Sequence, residues 1–270
     1  MTARTDAEIA LAAALAGAAV VRERYGTPQE RFAKSDTDFA TATDIDAEAA
    51  ILAVLREVRP DDALRGEESG LTGSDAAKRT WLVDPLCGTL NFAATTPLIA
   101  VNVALRVGPS VHVAGVVDPI AGEAFWTDGD GAWLRRGSED VRLEPSPRNA
   151  LVDVNLDAVH PDPGRFRPAE LLGHPDFRAR YGGRVLSTTL AVAWVAAGRR
   201  AAYVTESQDG GFADNVHFAA GIALCRAAGC VVTDLRGEPL GTPGGSGLLV
   251  AADAETHAEL LGLIGQRDAA

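Results

Sequence analysis

Apolar residues recur at helical spacing in two segments near the start of the chain. Residues 5 to 25 form an Ala-rich stretch that predicts a helix. Asp44 to Val58 predicts a second helix, because its apolar side chains fall on one face: Ala47, Ala50, Ile51, Val54 and Leu55. Both segments are expected to bury these faces in a core.

Short apolar runs separated by turn residues follow between residues 81 and 135. Residues 81 to 84 predict a short buried strand, and residues 100 to 107 and 111 to 118 predict a hairpin around Gly108-Pro109-Ser110. Another hairpin is expected around the sequence DGDG at residues 128 to 131. Because these strands follow one another without intervening helices, we expect a largely antiparallel sheet.

Strands and helices alternate after about residue 145. Strands are predicted at residues 151–154, 201–204, 230–234 and 247–251, and helices at 170–181, 190–197, 217–228 and 254–264. Such alternation is typical of α/β architecture. We therefore expect an N-terminal α+β half over residues 1–145 and a C-terminal α/β half over residues 146–270, packed as one unit.

Composition and charge narrow the possible partners. The 270 residues carry 25 basic and 37 acidic side chains, a net charge of −12, which disfavours nucleic acids and anionic membranes. The apolar segment from Ile9 to Val21 is shorter than the roughly 20 residues that span a bilayer, so we interpret it as a buried helix. Three cysteines are too few for a disulfide scaffold, and a cytoplasmic location is expected.

The segment from Trp81 to Phe92 carries the first chemical signal. A strand ends in Asp84, a tight turn follows, and Gly88-Thr89 opens a helix whose backbone N–H groups suit a phosphate. A carboxylate beside a phosphate needs a cation, and Mg²⁺ prefers such oxygen ligands. Glu67 is a candidate second carboxylate. The alternative is a solvated acidic loop followed by a structural turn.

Several motifs occur in an order that resembles the inositol monophosphatase family of Mg²⁺-dependent, lithium-sensitive phosphomonoesterases. They are Lys34-Ser35 through Thr41-Ala42-Thr43-Asp44, Gly66-Glu67-Glu68, DPLCGTLNF at residues 84–92, Ala219-Ala220-Gly221, and Val232-Thr233-Asp234. The similarity extends from about residue 5 to 265. It implies the family's layered α-β-α-β-α sandwich, a homodimer, and metal-dependent hydrolysis of a small phosphorylated polyol, sugar or nucleotide.

The resemblance also assigns roles to individual residues. It implies that Glu67, Asp84 and the carbonyl of Leu86 hold a first metal, in the N-terminal half. Thr89 and Asp44, with Glu67, correspond to the residues that orient and activate the attacking water. Gly88 and Thr89 correspond to the phosphate-binding turn.

The sequence departs from the family pattern at two metal-binding positions. Cys87 and His217 stand where the family has aspartates that, with Asp84, hold a second metal. In one hypothesis Asp84, Cys87 and His217 bind a softer ion such as Zn²⁺ or Mn²⁺ in place of Mg²⁺. In a second, one metal suffices and His217 contacts phosphate; in a third, the protein is an impaired paralogue that binds without hydrolysing. A one-residue shift would bring Asp214 or Asn215 into the site instead.

The cysteines allow further interpretations. Cys87 could act as a nucleophile, because a helix N-terminus lowers a thiol pKa, although no arginine-bearing loop follows it. Cys225 and Cys230 are expected to be buried packing residues. Since Thr89, Asp44 and Glu67 are all present, an active phosphatase remains the leading interpretation.

Overall fold

The Ala-rich N-terminal stretch forms a capped helix, as predicted. The structure is a computed structural model that describes residues 4–35, 39–74, 76–157, 166–206, 212 and 215–265. In it, the first helix, α1, spans Asp6–Arg24. The N-cap residue Thr5 and Glu8 form a capping box. The second helix, α2, spans Ala42–Val58 and begins two residues earlier than predicted, because Thr41 and Asp44 form a capping box there.

The described residues divide into two compact units. The first contains those up to Arg142, together with Thr188–Leu190 and Asn215–Leu224. The second contains the described residues of 143–187, 191–214 and 225–265. Asn215–Leu224 therefore belongs with residues that precede it by more than 70 positions.

The first unit is built on an eight-stranded sheet among the described residues. The strands of this unit are β1 (Arg31–Ala33), β2 (Phe39–Thr41), β3 (Ala63–Gly66), β4 (Gly70–Thr72), β5 (Arg79–Cys87), β6 (Ala100–Val107), β7 (Ser110–Asp118), β8 (Glu123–Thr127), β9 (Ala132–Arg136) and β10 (Glu139–Arg142). The order in the sheet is β10-β9-β8-β7-β6-β5-β3-β4, while β1 and β2 pair separately. Strands β3 and β5 are parallel and the other neighbours are antiparallel.

Helices α1 and α2 pack their apolar side chains against the sheet of the first unit. Their buried residues form one cluster with the inward side chains of β5, β6 and β7, among them Ile9, Leu55, Trp81 and Val103. Burial of apolar side chains is the main contribution that stabilises a folded unit of this kind. It also fixes α2 against the ends of the strands that carry the candidate site residues.

The second unit contains a mixed sheet. Its strands are β11 (Leu151–Asn155), β12 (Gly182–Val185), β13 (Ala202–Thr205), β14 (Val231–Thr233) and β15 (Leu248–Ala251), in the order β12-β11-β13-β15-β14. Strand β11 is parallel to both β12 and β13, whereas β15 is antiparallel to its neighbours. The core of this unit includes Val152, Phe177, Leu249 and Leu260.

The remaining helices are short, and one prediction among them is wrong. They are α3 (Thr89–Ala93), α4 (Pro168–Gly173), α5 (Pro175–Arg180), α6 (Leu190–Ala196), α7 (Ala219–Ala228) and α8 (Ala254–Gly265). The single helix predicted over residues 170–181 is divided into α4 and α5. Pro175 causes this break, because proline lacks an N–H and holds the preceding His174 in an extended conformation.

The apolar segment from Ile9 to Val21 lies within α1, and most of its side chains are buried. Among the helices of the described residues, none has the length and apolar character needed to cross a membrane.

Candidate active site

Asp84 occupies the point where β5 becomes irregular. Strand β5 pairs regularly with β6 as far as Asp84 and then shifts register before Cys87. The carboxylate is fully buried. Its Oδ1 accepts the backbone N–H of Leu86 at 3.2 Å, and the side-chain amide of Asn102 donates to Oδ2 at 3.3 Å. These contacts fix the direction of the carboxylate.

Glu67 reaches the same region from the neighbouring strand. Strand β3 is parallel to β5, with Gly66 opposite Val83, and the Glu67 N–H donates to the Val83 carbonyl at 3.0 Å. Lys34 Nζ lies 2.8 Å from Glu67 Oε1 and 2.7 Å from Glu68 Oε1. The other oxygen, Glu67 Oε2, is buried and has no hydrogen-bond partner among the described residues.

His217 lies in the turn just before α7, 133 residues after Asp84. Asn215 Oδ1 accepts the N–H groups of His217 and Phe218, at 2.9 and 3.3 Å. The imidazole Nδ1 lies 2.8 Å from Asp84 Oδ2 and 4.0 Å from Glu67 Oε2. Burial opposes the charged imidazole, but the charge and hydrogen bond of Asp84, with the charge of Glu67, raise the pKa of His217 to about 9.

The ligand atoms of Glu67, Asp84 and His217 all lie within 4.8 Å of one another. Burial, followed by the negative charge of Asp84, raises the pKa of Glu67, and the nearby cations oppose this rise only in part. A buried carboxylate oxygen without a hydrogen bond is costly unless a cation or water satisfies it. Two carboxylates and one imidazole with such an oxygen therefore fit a divalent metal ion.

Cys87 is close in sequence but is not a member of this group of described residues. Its buried sulfur accepts the backbone N–H of Thr189 at 3.2 Å. Burial and the charge of Asp84 raise the pKa of the Cys87 thiol well above its ordinary value. A protonated thiol is a poor nucleophile. Among the described residues, the group that could hold a metal is thus Glu67, Asp84 and His217, and metal binding by Cys87 stays a prediction.

Thr89, the first residue of α3, contacts Asp44 of α2. Gly88 adopts a left-handed conformation, with φ of 99°, that turns the chain from β5 into α3. The Thr89 hydroxyl lies 3.0 Å from Asp44 Oδ1 and 3.2 Å from the carbonyl of Leu86. Burial raises the pKa of Asp44, while hydrogen bonds from Thr41 and Thr89 oppose the rise. The predicted roles of Gly88 and Thr89 in binding phosphate stay predictions.

Sequence reasoning missed several residues around this group. Lys34 contacts Glu67, and although it opens a segment that resembles the family, it was given no role. Asn102 contacts Asp84 and stands in none of the motifs. Glu48 follows Asp44 by four residues on α2, so helical spacing could have indicated it. Of the alternative ligands, Asp214 lies outside the described residues, and Asn215 caps the start of α7.

Comparisons with known proteins identify the family of the chain. Residues 3–268 match the model of the inositol monophosphatase family. The chain is 32% identical to an inositol-1-monophosphatase of Caulobacter vibrioides, covering 84% of this chain and 88% of the relative. It is 34% identical to the Nus factor SuhB of Escherichia coli K12, covering 85% of each.

Solved structures give the same result for the fold. The extragenic suppressor protein SuhB of Bartonella henselae matches with a TM-score of 0.79 and 25% identity, covering 94% of this chain and 96% of that one. An inositol monophosphatase of Anabaena matches with a TM-score of 0.72 and 26% identity, covering 96% and 95%. The predicted α/β fold of the inositol monophosphatase type is confirmed. The chain belongs to the inositol monophosphatase family.

Proposed function

We propose that the protein is a phosphomonoesterase that hydrolyses a small phosphorylated polyol, sugar or nucleotide with one divalent ion at Glu67, Asp84 and His217. The observation that supports it is the convergence of these three side chains within 4.8 Å, beside the Thr89–Asp44 hydrogen bond. Metal-dependent phosphatase activity is characteristic of the family to which the chain belongs.

The donor set points to the class of metal. Two carboxylates and an imidazole suit Mn²⁺ or Zn²⁺, whereas Mg²⁺ favours oxygen ligands and retained water. By family resemblance, the carbonyl of Leu86 completes the set. When bound, the ion would lower the pKa of a water and neutralise charge on the phosphoryl oxygens.

The residues of the chain then prepare the site and orient the reactants. His217 would hold the ion as a neutral imidazole, with its proton released to solvent. Asp44 accepts a hydrogen bond from the Thr89 hydroxyl, which leaves the lone pairs of that hydroxyl to accept a hydrogen bond from the attacking water and so orient it. The Glu67 oxygen Oε2, which has no hydrogen-bond partner among the described residues, would also help to orient that water.

A panel assay tests the proposal. Phosphate release is measured from inositol monophosphates, sugar phosphates and nucleoside monophosphates, with Mn²⁺, Zn²⁺, Co²⁺ and Mg²⁺ in turn. We expect release with at least one substrate and metal, reduced at least about 100-fold in Asp84→Asn. Asp118→Asn, at a buried carboxylate on the last residue of β7, serves as the matched control. Release that is equal in both variants contradicts the proposal.

A second candidate function is binding of a phosphorylated ligand or a protein partner without hydrolysis. Lys34 pairs with Glu67, and His217 pairs with Asp84. These two side-chain cations could neutralise the carboxylates in place of metal ions. The Escherichia coli relative, moreover, is named a Nus factor. The acidic composition of this chain favours a protein or small-molecule partner over nucleic acid. Ligand binding by calorimetry, without phosphate release under any metal, would support this candidate.

A homodimer and a cytoplasmic location complete the proposal. The dimer rests on family resemblance alone, and sedimentation equilibrium tests it. The location is supported by three cysteines that are all unpaired as free thiols. Cell fractionation tests it.

A further inference from the structure

Glu48 is a buried carboxylate that the candidate mechanism does not use. It lies on α2 one helical turn after Asp44, and its side chain is 3% exposed. Its two oxygens accept two consecutive backbone N–H groups, Oε2 that of Glu68 at 2.9 Å and Oε1 that of Ser69 at 2.8 Å. Each oxygen of Glu48 is therefore assigned to one amide of the same short loop.

That loop joins β3 to β4 and begins with Glu67. Gly66 at the end of β3 pairs with Gly70 at the start of β4, so residues 67 to 69 form a tight three-residue connection. A Cβ atom at Gly66 would overlap with the Glu48 carboxylate, whose Oε1 would lie 2.6 Å away. The glycine of the Gly-Glu-Glu motif thus gives the Glu48 side chain room to reach the loop.

Stability alone does not explain a carboxylate at this place. The same loop already carries two acidic side chains, Glu67 and Glu68, which share the ammonium group of Lys34. A further buried negative charge among these acids is unfavourable unless it has a specific role. Its two hydrogen bonds hold the backbone that directs Glu67.

We propose that Glu48 is a positioning residue, which fixes the loop at residues 67–69 so that the Glu67 carboxylate faces Asp84 and His217. This inference rests on the proposed function, because it takes Glu67 as a metal ligand. Partners that orient metal ligands contribute about 10–100-fold to metal affinity.

The first test is Mn²⁺ binding by calorimetry in Glu48→Gln. The amide of glutamine has one acceptor oxygen, and its NH₂ would face a backbone N–H, so one loop hydrogen bond is lost. We expect Mn²⁺ to bind about 10–100-fold more weakly. The matched control is Asp118→Asn, since Asp118 is 6% exposed and accepts the N–H groups of Ile120 and Ala121. Its affinity should stay within about twofold of wild type. Equal affinities in the two variants would overturn the proposal.

A double-mutant comparison isolates the contact with Gly66. Gly66→Ala forces the Glu48 carboxylate away from the loop, and we expect at least about tenfold weaker Mn²⁺ binding. In a Glu48→Ala background the collision is gone, so adding Gly66→Ala should change the affinity less than about twofold. Equal losses in both backgrounds would show that Gly66 acts without Glu48, against the proposal.

Hydrogen exchange separates this inference from the proposed function. The amides of Glu68 and Ser69 should exchange at least about tenfold faster in Glu48→Gln than in wild type or Asp118→Asn. If wild type binds no Mn²⁺, the proposed function fails, and the exchange rates alone then decide the role of Glu48. Unchanged exchange in Glu48→Gln would overturn that role.

Discussion

His217 and Asp84 form an ion pair, with Nδ1 2.8 Å from Oδ2, at the end of β5. Asp84 is fully buried, so its charge requires a partner in every state of the protein. His217 supplies that partner as a cation and can also bind a metal as a neutral ligand. The pair thus explains how a histidine can stand where the family has an aspartate without leaving Asp84 unpaired.

The first prediction concerns the choice of metal. Because an imidazole belongs to the proposed ligand set, Mn²⁺, Zn²⁺ or Co²⁺ should support faster phosphate release than Mg²⁺. With Mg²⁺ alone, turnover of inositol monophosphate should be weak or absent. A metal-replacement assay on chelator-treated protein measures both. Vigorous hydrolysis with Mg²⁺ that lithium inhibits would contradict the prediction.

Restoring the family's aspartates provides the matching control. The combination of Cys87→Asp and His217→Asp places carboxylate oxygens, which Mg²⁺ prefers, where the Cys87 thiol and the His217 imidazole now stand. We expect a large gain in Mg²⁺-supported phosphate release over wild type. No gain would indicate that residues outside these two positions also determine the metal preference.

The second prediction separates the roles of Cys87 and His217. The Cys87 sulfur accepts the Thr189 amide and lies outside the metal-binding group, so Cys87→Ala should change Mn²⁺ affinity less than about threefold. His217→Ala removes a ligand and should weaken binding at least about 100-fold. Calorimetric titration with Mn²⁺ distinguishes the two. A larger loss in Cys87→Ala would favour the ligand set of Asp84, Cys87 and His217.

The third prediction concerns the Thr89 hydroxyl. Without it, the attacking water loses the group that orients it, so Thr89→Ala should lower kcat about 10²–10⁴-fold. Metal affinity should stay nearly unchanged, because Thr89 is not among the ligands. Thr89→Ser keeps the hydroxyl and serves as the control, with most of the activity retained. Equal activity in the alanine and serine variants would exclude the orienting role.

The fourth prediction concerns stability and pH. Burial alone would raise the pKa of Asp6, but hydrogen bonds and charges from Arg79 and Arg59 lower it below its ordinary value of 3.8. Such a carboxylate stabilises the fold above its unfolded pKa, and this contribution is lost as the pH falls through the folded pKa. Asp6→Asn should therefore reduce the free energy of unfolding by about 1–2 kcal/mol at pH 7, and by less below about pH 4.

Urea denaturation over pH 3 to 7 measures this difference. The control is Asp46→Asn, because Asp46 is half exposed and pairs with an exposed Arg24. Its effect should be below about 0.5 kcal/mol. The prediction would be contradicted if Asp6→Asn lowered the free energy of unfolding by the same amount at pH 3 and at pH 7.

Local patterns predicted much of the fold. The two N-terminal helices were predicted within two residues of their observed bounds, because their apolar periodicity and capping signals agree. The short strands β3 and β4 were not predicted. They have four and three residues, and their place beside β5 depends on pairing that no local pattern records.

The candidate site was predictable in its motifs and not in its contacts. Glu67, Asp84 and Thr89 could be found because they stand in recognisable segments. The direction of the Cys87 sulfur could not, because it depends on the irregular end of β5 and on the amide of Thr189, 102 residues further along. The contact of Lys34 with Glu67 is likewise a tertiary one.

The most direct test measures phosphate release and metal binding on the same preparation. Chelator-treated protein is titrated with Mn²⁺, or with the best metal from the panel, while binding is followed by calorimetry. We expect release to rise from background and to saturate with the dissociation constant of a single bound ion, and both signals to disappear in Asp84→Asn. Release that is independent of added metal, or metal binding that is unchanged in Asp84→Asn, would contradict a metal centre at Glu67, Asp84 and His217.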